Sequence, residues 1–215
     1  MSLKPINYIR YIFYSIVFIV YSPAIAGSYD DYFAAVRRDD SAVIIELFQR
    51  GFDPNTRGPE GQSGLMLAMQ VRSLAAAQVI VNHPSLDVDA LNTHGESALM
   101  LAALKGDLVW TRKLLERGAQ VKPAGWSPLH YAATSNQPTV VALLLDRGAD
   151  INAESPNRTT PLMMAARYGT EENVNLLLAR GADARRRNER DLGASDFARQ
   201  SGRDRLAAKL ERHPP

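Results

Sequence analysis

The chain has 215 residues, 46% hydrophobic and 22% charged, which suits one compact domain or one short repeat array and speaks against disorder or a multi-span membrane protein. Its formal net charge of +2 resides in Lys4 and Arg10: residues 1–26 hold no acid, and removing these two leaves 23 basic against 23 acidic residues, with no global basic field to suggest a nucleic-acid partner. The absence of cysteine excludes zinc ribbons, cysteine nucleophiles and disulfide frameworks.

The first 26 residues read as an address. Lys4 and Arg10 precede an apolar run from Tyr11 to Tyr21, followed by Pro23 and Ala24-Ile25-Ala26. Small residues at Ala24 and Ala26 fit signal-peptidase cleavage before Gly27. The alternative is an uncleaved anchor, but Tyr11 to Ala26 is sixteen residues interrupted by Pro23, and a span needs about 20. The expectation is a cleaved signal peptide and a periplasmic or secreted mature chain with no stable membrane span. Without cysteine there is no lipid attachment, and with no Arg-Arg pair in these 26 residues the general export route is favoured.

Residues 27–58 form an opening unit. Tyr32, Phe33, Val36, Ile44, Ile45 and Leu47 supply one apolar face, with Arg37, Arg38, Asp39 and Asp40 between. Beyond it the chain repeats itself. Gly61-Gln62-Ser63-Gly64-Leu65 parallels Gly95-Glu96-Ser97-Ala98-Leu99, and Gly125-Trp126-Ser127-Pro128-Leu129 parallels Arg158-Thr159-Thr160-Pro161-Leu162. The leucines are spaced by 34, 30 and 33 residues. Arg50-Gly51, Arg117-Gly118, Arg147-Gly148 and Arg180-Gly181 each close an apolar run, at spacings of 67, 30 and 33. The unit that would halve the long interval reads Asn82-His83-Pro84-Ser85 instead. The units fall at 59–90, 91–122, 123–152 and 153–185, and a half-charged closing unit and tail occupy 186–215.

Each unit encodes two helices. Ser127 and Thr160 are N-cap residues, with Pro128 and Pro161 at the first helical position, where a missing N–H is harmless. Leu129, Ala132 and Ala133 share a face, and Val140, Val141, Leu143, Leu144 and Leu145 form the apolar stripe of the second helix. Thr170, Glu171 and Glu172 open the equivalent helix in the next unit, while Gly148 and Gly181 fit the left-handed position beyond each helix end. The 30-residue spacing predicts that the loop before Trp126 is retracted by three residues. Asn136 stands where glycine is usual, a mild change because Asn tolerates the left-handed region.

Trp126-Ser127-Pro128-Leu129-His130-Tyr131-Ala132-Ala133 and Gly148-Ala149-Asp150-Ile151-Asn152 closely resemble the signature and closing segment of the ankyrin repeat, and the resemblance covers about residues 30–210. It implies an all-α solenoid of helix-turn-helix units with hairpin or loop fingers, about four full repeats between degenerate end caps. It also implies binding through the concave face, made by the fingers and the exposed side of each first helix. The matching positions are His94, Glu96, Leu104, Lys105, Trp126, Thr134, Ser135, Arg167 and Tyr168, with Gln62, Gln70 and Val71 extending the row.

Trp126 has two readings: a binding anchor beside the shortened loop, or a ring folded over that loop to fill space. Arg167 and Tyr168 could contact a partner or pack on the next helix, and Trp110 reads as packing. His130 matches the family's structural histidine, bonded between neighbouring loops. His94, near a finger tip, could touch a partner or a haem, although no cofactor is expected, and His83, His94, His130 and His213 show no metal-ligand spacing. The run Arg185-Arg186-Arg187-Asn188-Glu189-Arg190 is either a solvated loop or a contact for an acidic surface. No catalytic constellation or phosphate-binding loop stands out.

The expected function is therefore binding by a chain that is monomeric on its own. Resemblance to exported bacterial ankyrin proteins implies a protein partner: either a stress enzyme such as a catalase, assisted or protected, or an effector neutralised by an immunity protein. A structural envelope scaffold and an enzyme are the alternatives.

Overall fold

The computed structural model describes residues 23–212. Residues 1–22 of the expected signal peptide and His213 in the tail lie outside the described residues, and the expected cleavage point after Ala26 falls within the first helix. Twelve helices are present among the described residues. They pair as α1 (Pro23–Arg37) with α2 (Ser41–Gln49), α3 (Gly64–Val71) with α4 (Leu74–Val81), and α5 (Ala98–Leu104) with α6 (Leu108–Glu116). The series continues with α7 (Pro128–Thr134) and α8 (Pro138–Asp146), α9 (Pro161–Tyr168) and α10 (Glu171–Ala179), and α11 (Ala194–Arg199) and α12 (Asp204–Glu211). First helices pack serially on first helices, and behind them α2 packs on α4, and α8 packs between α6 and α10. This is the solenoid expected from the repeat, four full pairs flanked by end pairs.

The local chemistry follows the sequence. Ser63, Ser97 and Thr160 each accept the N–H three residues on, opening α3, α5 and α9. Thr170 does the same for α10 through Asn173 N–H, at 3.2 Å. At the end of α8, Gly148 N–H donates to Leu145 O at 2.9 Å and Ala149 N–H to Leu144 O at 2.9 Å, with Gly148 at φ +84°. These paired bonds close the helix as a left-handed glycine permits. The divergent end of α4 is closed from the next unit: Arg117 donates from Nε to Val81 O at 2.9 Å and from Nη2 to His83 O at 2.8 Å.

The core is continuous along the stack but falls into two clusters. One runs from Tyr32 to Ala119 and the other from Ala103 to Leu210, with Leu115 packed against both. Val140, Val141 and Leu144 are buried, whereas Leu143 and Leu145 are only half-buried. In the opening unit Tyr32, Phe33, Val36, Ile44 and Leu47 are buried, but Ile45 is 44% exposed and does not share their face. Trp110 is buried, with Lys113 above its ring at 4.6 Å, so it packs as expected.

Asn136 calls for a correction. Of the glycines aligned with it, Gly106 has φ +66°, but Gly169 has φ −86° and ψ −176°, which is extended backbone, and Asn136 does not have positive φ either. Glycine is required at 169 by close approach: a Cβ there would lie 2.1 Å from Ala133 O.

Candidate functional site

The fingers are built from tight turns between units. Four close with the same backbone bond. Gly58 N–H donates to Gln62 O at 2.8 Å, Asn92 to Glu96 at 3.0 Å, Ser155 to Thr159 at 3.0 Å, and Asn188 to Leu192 at 3.0 Å. The loop before Trp126 has no such bond, so losing three residues removes the turn itself. Neighbouring fingers also bond where both are full length: Thr93 N–H donates to Glu60 O at 3.2 Å, and Glu189 N–H to Asn157 O at 3.1 Å. The position equivalent to Thr93 and Glu189 in the fifth unit is Pro156, which has no N–H to donate. The row of fingers is thus two bonded pairs with a break at the fourth unit.

Below the break lies an apolar cleft of about 200 Å³, lined by Leu104, Trp126, His130, Tyr131, Thr134 and Met164. Trp126 is half-buried, its ring set edge-on to His130 with centroids 5.2 Å apart. Trp126 thus packs against His130 on one side and walls a cleft open to solvent on the other. Leu104 presents a side chain that is 41% exposed.

His130 is the fixed point of this wall. Its Nδ1 accepts from Ser127 N–H at 3.1 Å and from Ser127 Oγ at 2.8 Å, while Nε2 donates to Thr159 O at 2.9 Å across the unit boundary. That network calls for the neutral ring protonated on Nε2. Burial, working against the favourable Thr159 contact, holds its pKa below the ordinary 6.5. The unfolded chain therefore takes up this proton first, so the stabilisation is complete above pH 6.5 and lost as pH falls towards the folded-state value. The urea midpoint should fall between about pH 6.5 and pH 5, above the carboxylate range. This component should vanish in His130→Gln; an equal slope in that variant would remove His130 as its source.

A second cleft of about 280 Å³ adjoins the first, sharing Trp126 and Met164 and extending past Arg167, Arg190 and Phe197. Arg167 donates from Nη1 to Gln200 Oε1 at 3.0 Å, with its guanidinium 5.1 Å from the Tyr168 ring centroid and 5.9 Å from that of Phe197. Tyr168 is 57% exposed. On the opposite side of the first cleft, Glu96 accepts from Asn92 Nδ2 at 2.9 Å and Tyr131 Oη at 3.2 Å. Burial, then the Glu96 charge, pushes the Tyr131 phenol up to about 12.

Of the expected partner-binding residues, Leu104, Trp126 and Thr134 meet at the first cleft, and Arg167 and Tyr168 meet at the second. His94 and Lys105 are exposed but line neither. Ser135 is a correction. It is only 5% exposed, its Oγ accepts Gln137 N–H at 3.2 Å, and its carbonyl accepts from Asn173 Nδ2 at 2.6 Å. Gln62 is also buried, its Oε1 accepting Glu60 N–H at 2.9 Å, so the row does not extend through it. Gln70 and Val71 remain exposed. Tyr131 and Met164 were not among the expected residues, yet both line the first cleft.

The Arg185–Arg190 run is mostly neutralised. Arg185 pairs with Asp183 at 3.1 Å, Arg186 with Glu154 at 2.8 Å, and Arg187 with Asp196 at 3.4 Å. Among the described residues there is no group of three or more His, Asp or Glu arranged to hold a metal, and no helix is long and apolar enough to cross a membrane.

A family model of ankyrin repeats matches in three overlapping stretches, residues 32–124, 86–155 and 113–188. The chain is 28% identical over 200 residues to Protein glp-1 of Caenorhabditis elegans, covering 83% of this chain and 15% of that one. It is 32% identical over 153 residues to the B-cell lymphoma 3 protein homolog of Mus musculus, covering 68% of this chain and 34% of that one. The chain thus spans only a minor part of these curated relatives. Among solved structures, the ankyrin repeat domain of Bcl-3 is similar at TM-score 0.69 and 29% identity, covering 84% of this chain and 81% of that one. A chain in the complex of a predatory endopeptidase from Bdellovibrio bacteriovorus with an immunity protein is similar at TM-score 0.73 and 23% identity, covering 86% of this chain and 98% of that one.

Proposed function

Since the chain belongs to the ankyrin-repeat family, we propose that it is a binding protein rather than an enzyme, and that it takes a protein partner on the face centred on Trp126. The observation that carries this reading is the break in the finger row with an apolar cleft beneath it. A partner side chain can enter at that point without displacing a finger. Trp, Tyr and Arg dominate interface hot spots, and the two clefts bring together Trp126, Tyr131, Tyr168 and Arg167.

In this reading the protein is exported. Its support is the leader sequence: Lys4 and Arg10, the short apolar run, and small residues at Ala24 and Ala26. A secreted form beginning at Gly27 is the expected result of N-terminal sequencing, and recovery only of chain retaining Met1 would overturn it. The partner is either a stress enzyme such as a catalase or an effector neutralised by an immunity protein. The endopeptidase–immunity complex is a counterpart in fold alone. The product of the neighbouring gene distinguishes the two: a catalase supports protection, and a lipase or other effector supports immunity.

The test is capture from the extracytoplasmic fraction by the full chain, with the affinity of the captured protein measured against variants. Trp126→Ala should cost about 2 kcal/mol of binding, roughly thirtyfold in affinity. A structural scaffold predicts instead that Trp126→Ala and Tyr168→Ala together leave every capture unchanged.

A further inference from the structure

We infer that the partner segment taken by this face is acidic beside an apolar anchor: an extended stretch that seats an aromatic or aliphatic side chain in the first cleft and a carboxylate in the second. The inference rests on the binding reading above and specifies its chemistry. The two clefts are continuous through Trp126 and Met164, so one short segment can occupy both. The first is walled by carbon: Leu104, the indole of Trp126, Tyr131 and Met164.

The second cleft has two guanidiniums in its lining, Arg167 and Arg190, and no acidic side chain. Arg190 is the informative one. Arg185, Arg186 and Arg187 of the same run are each paired with an acid, whereas Arg190 is exposed and makes no ion pair among the described residues. Among the described residues the Arg167 guanidinium is hydrogen-bonded only to the neutral amide of Gln200, and it lies against the Tyr168 and Phe197 rings. A guanidinium braced on aromatic faces keeps its donor edge available and loses little freedom on meeting a carboxylate.

The charge is also directional. Tyr131, in the wall of the first cleft, donates to Glu96, a carboxylate that also accepts from Asn92. A carboxylate is repelled there and drawn towards Arg167 and Arg190, so the segment has one favoured orientation.

The test is selection of a random heptapeptide library on the full chain, followed by affinity measurement of the selected peptides. The expected result is enrichment of an apolar residue next to Asp or Glu. The selected peptides should lose about tenfold in affinity on the R167Q/R190Q variant, less at high salt, while a matched Gln peptide is unaffected by that variant. Trp126→Ala should weaken both peptides. Peptides sensitive to Trp126→Ala but without acidic preference would overturn the acidic assignment and leave the binding face standing. A library yielding no peptide sensitive to either change would overturn both.

Discussion

Gly169→Ala should destabilise the array by about 3 kcal/mol, at the upper end of what overpacking costs. The added Cβ would stand 2.1 Å from Ala133 O, about 1 Å or more inside any real contact, and the obstacle is backbone rather than the end of a flexible side chain. Relief requires α9 to move away from α7. That carbonyl also accepts from Asn173 Nδ2 at 3.1 Å, so the same movement weakens the tie that Asn173 makes to the end of α7. Asn173 is buried, and unmet donors there carry their own desolvation cost. Gly181 is the control. It has φ +92° and nothing within 4 Å of an added Cβ, so Gly181→Asn tests handedness alone and should be mild. Urea unfolding of the two variants separates the reasons; similar midpoints would show that the α7–α9 approach is looser than described.

Leu144→Ala should cost about 2–5 kcal/mol, the range for a buried leucine truncation. Leu144 is completely buried at the centre of α8, inside the cluster that joins the third to the sixth unit. Its neighbours Val140 and Val141 are equally buried and held by the same helix, so collapse into the cavity is restricted. The half-buried Leu143 gives the comparison, and Leu143→Ala should cost distinctly less. Because a repeat array is stabilised unit by unit, the loss should appear first in units four to six. An unchanged urea midpoint would remove Leu144 from the core.

The legible part of the fold was whatever the repeat carries within one unit. The serine and threonine caps, the prolines at helix starts and the glycines after Arg147 and Arg180 are local chemistry with fixed offsets, and each sits where its residue type requires. The shortened finger was legible from spacing alone, because three missing residues cannot form the turn that four other loops close.

What escaped the sequence lies between units. Ser135 occupies the register of the exposed Lys105 and Tyr168, but Asn173 from the following pair seals its carbonyl and buries it. Gln62 is tucked under its own finger by Glu60. Tyr131 and Met164 each lie two residues after a repeat leucine, three before Thr134 and Arg167. Helical spacing places each pair on one face, and that i, i+3 relation was the signal available for finding them. The second cleft required knowing which arginines of a charged run find acids, and the acids come from Glu154 and Asp196 in other segments.

In the proposed function a partner lands at the break in the finger row. Hydrogen exchange of the full chain, alone and with its captured partner, tests it most directly. The prediction is new protection at residues 122–126, at the C-terminal half of α5, and along α7 and α9 around Tyr131 and Met164. Protection confined to the second helices α6, α8 and α10, with the region around Trp126 unchanged, would contradict it.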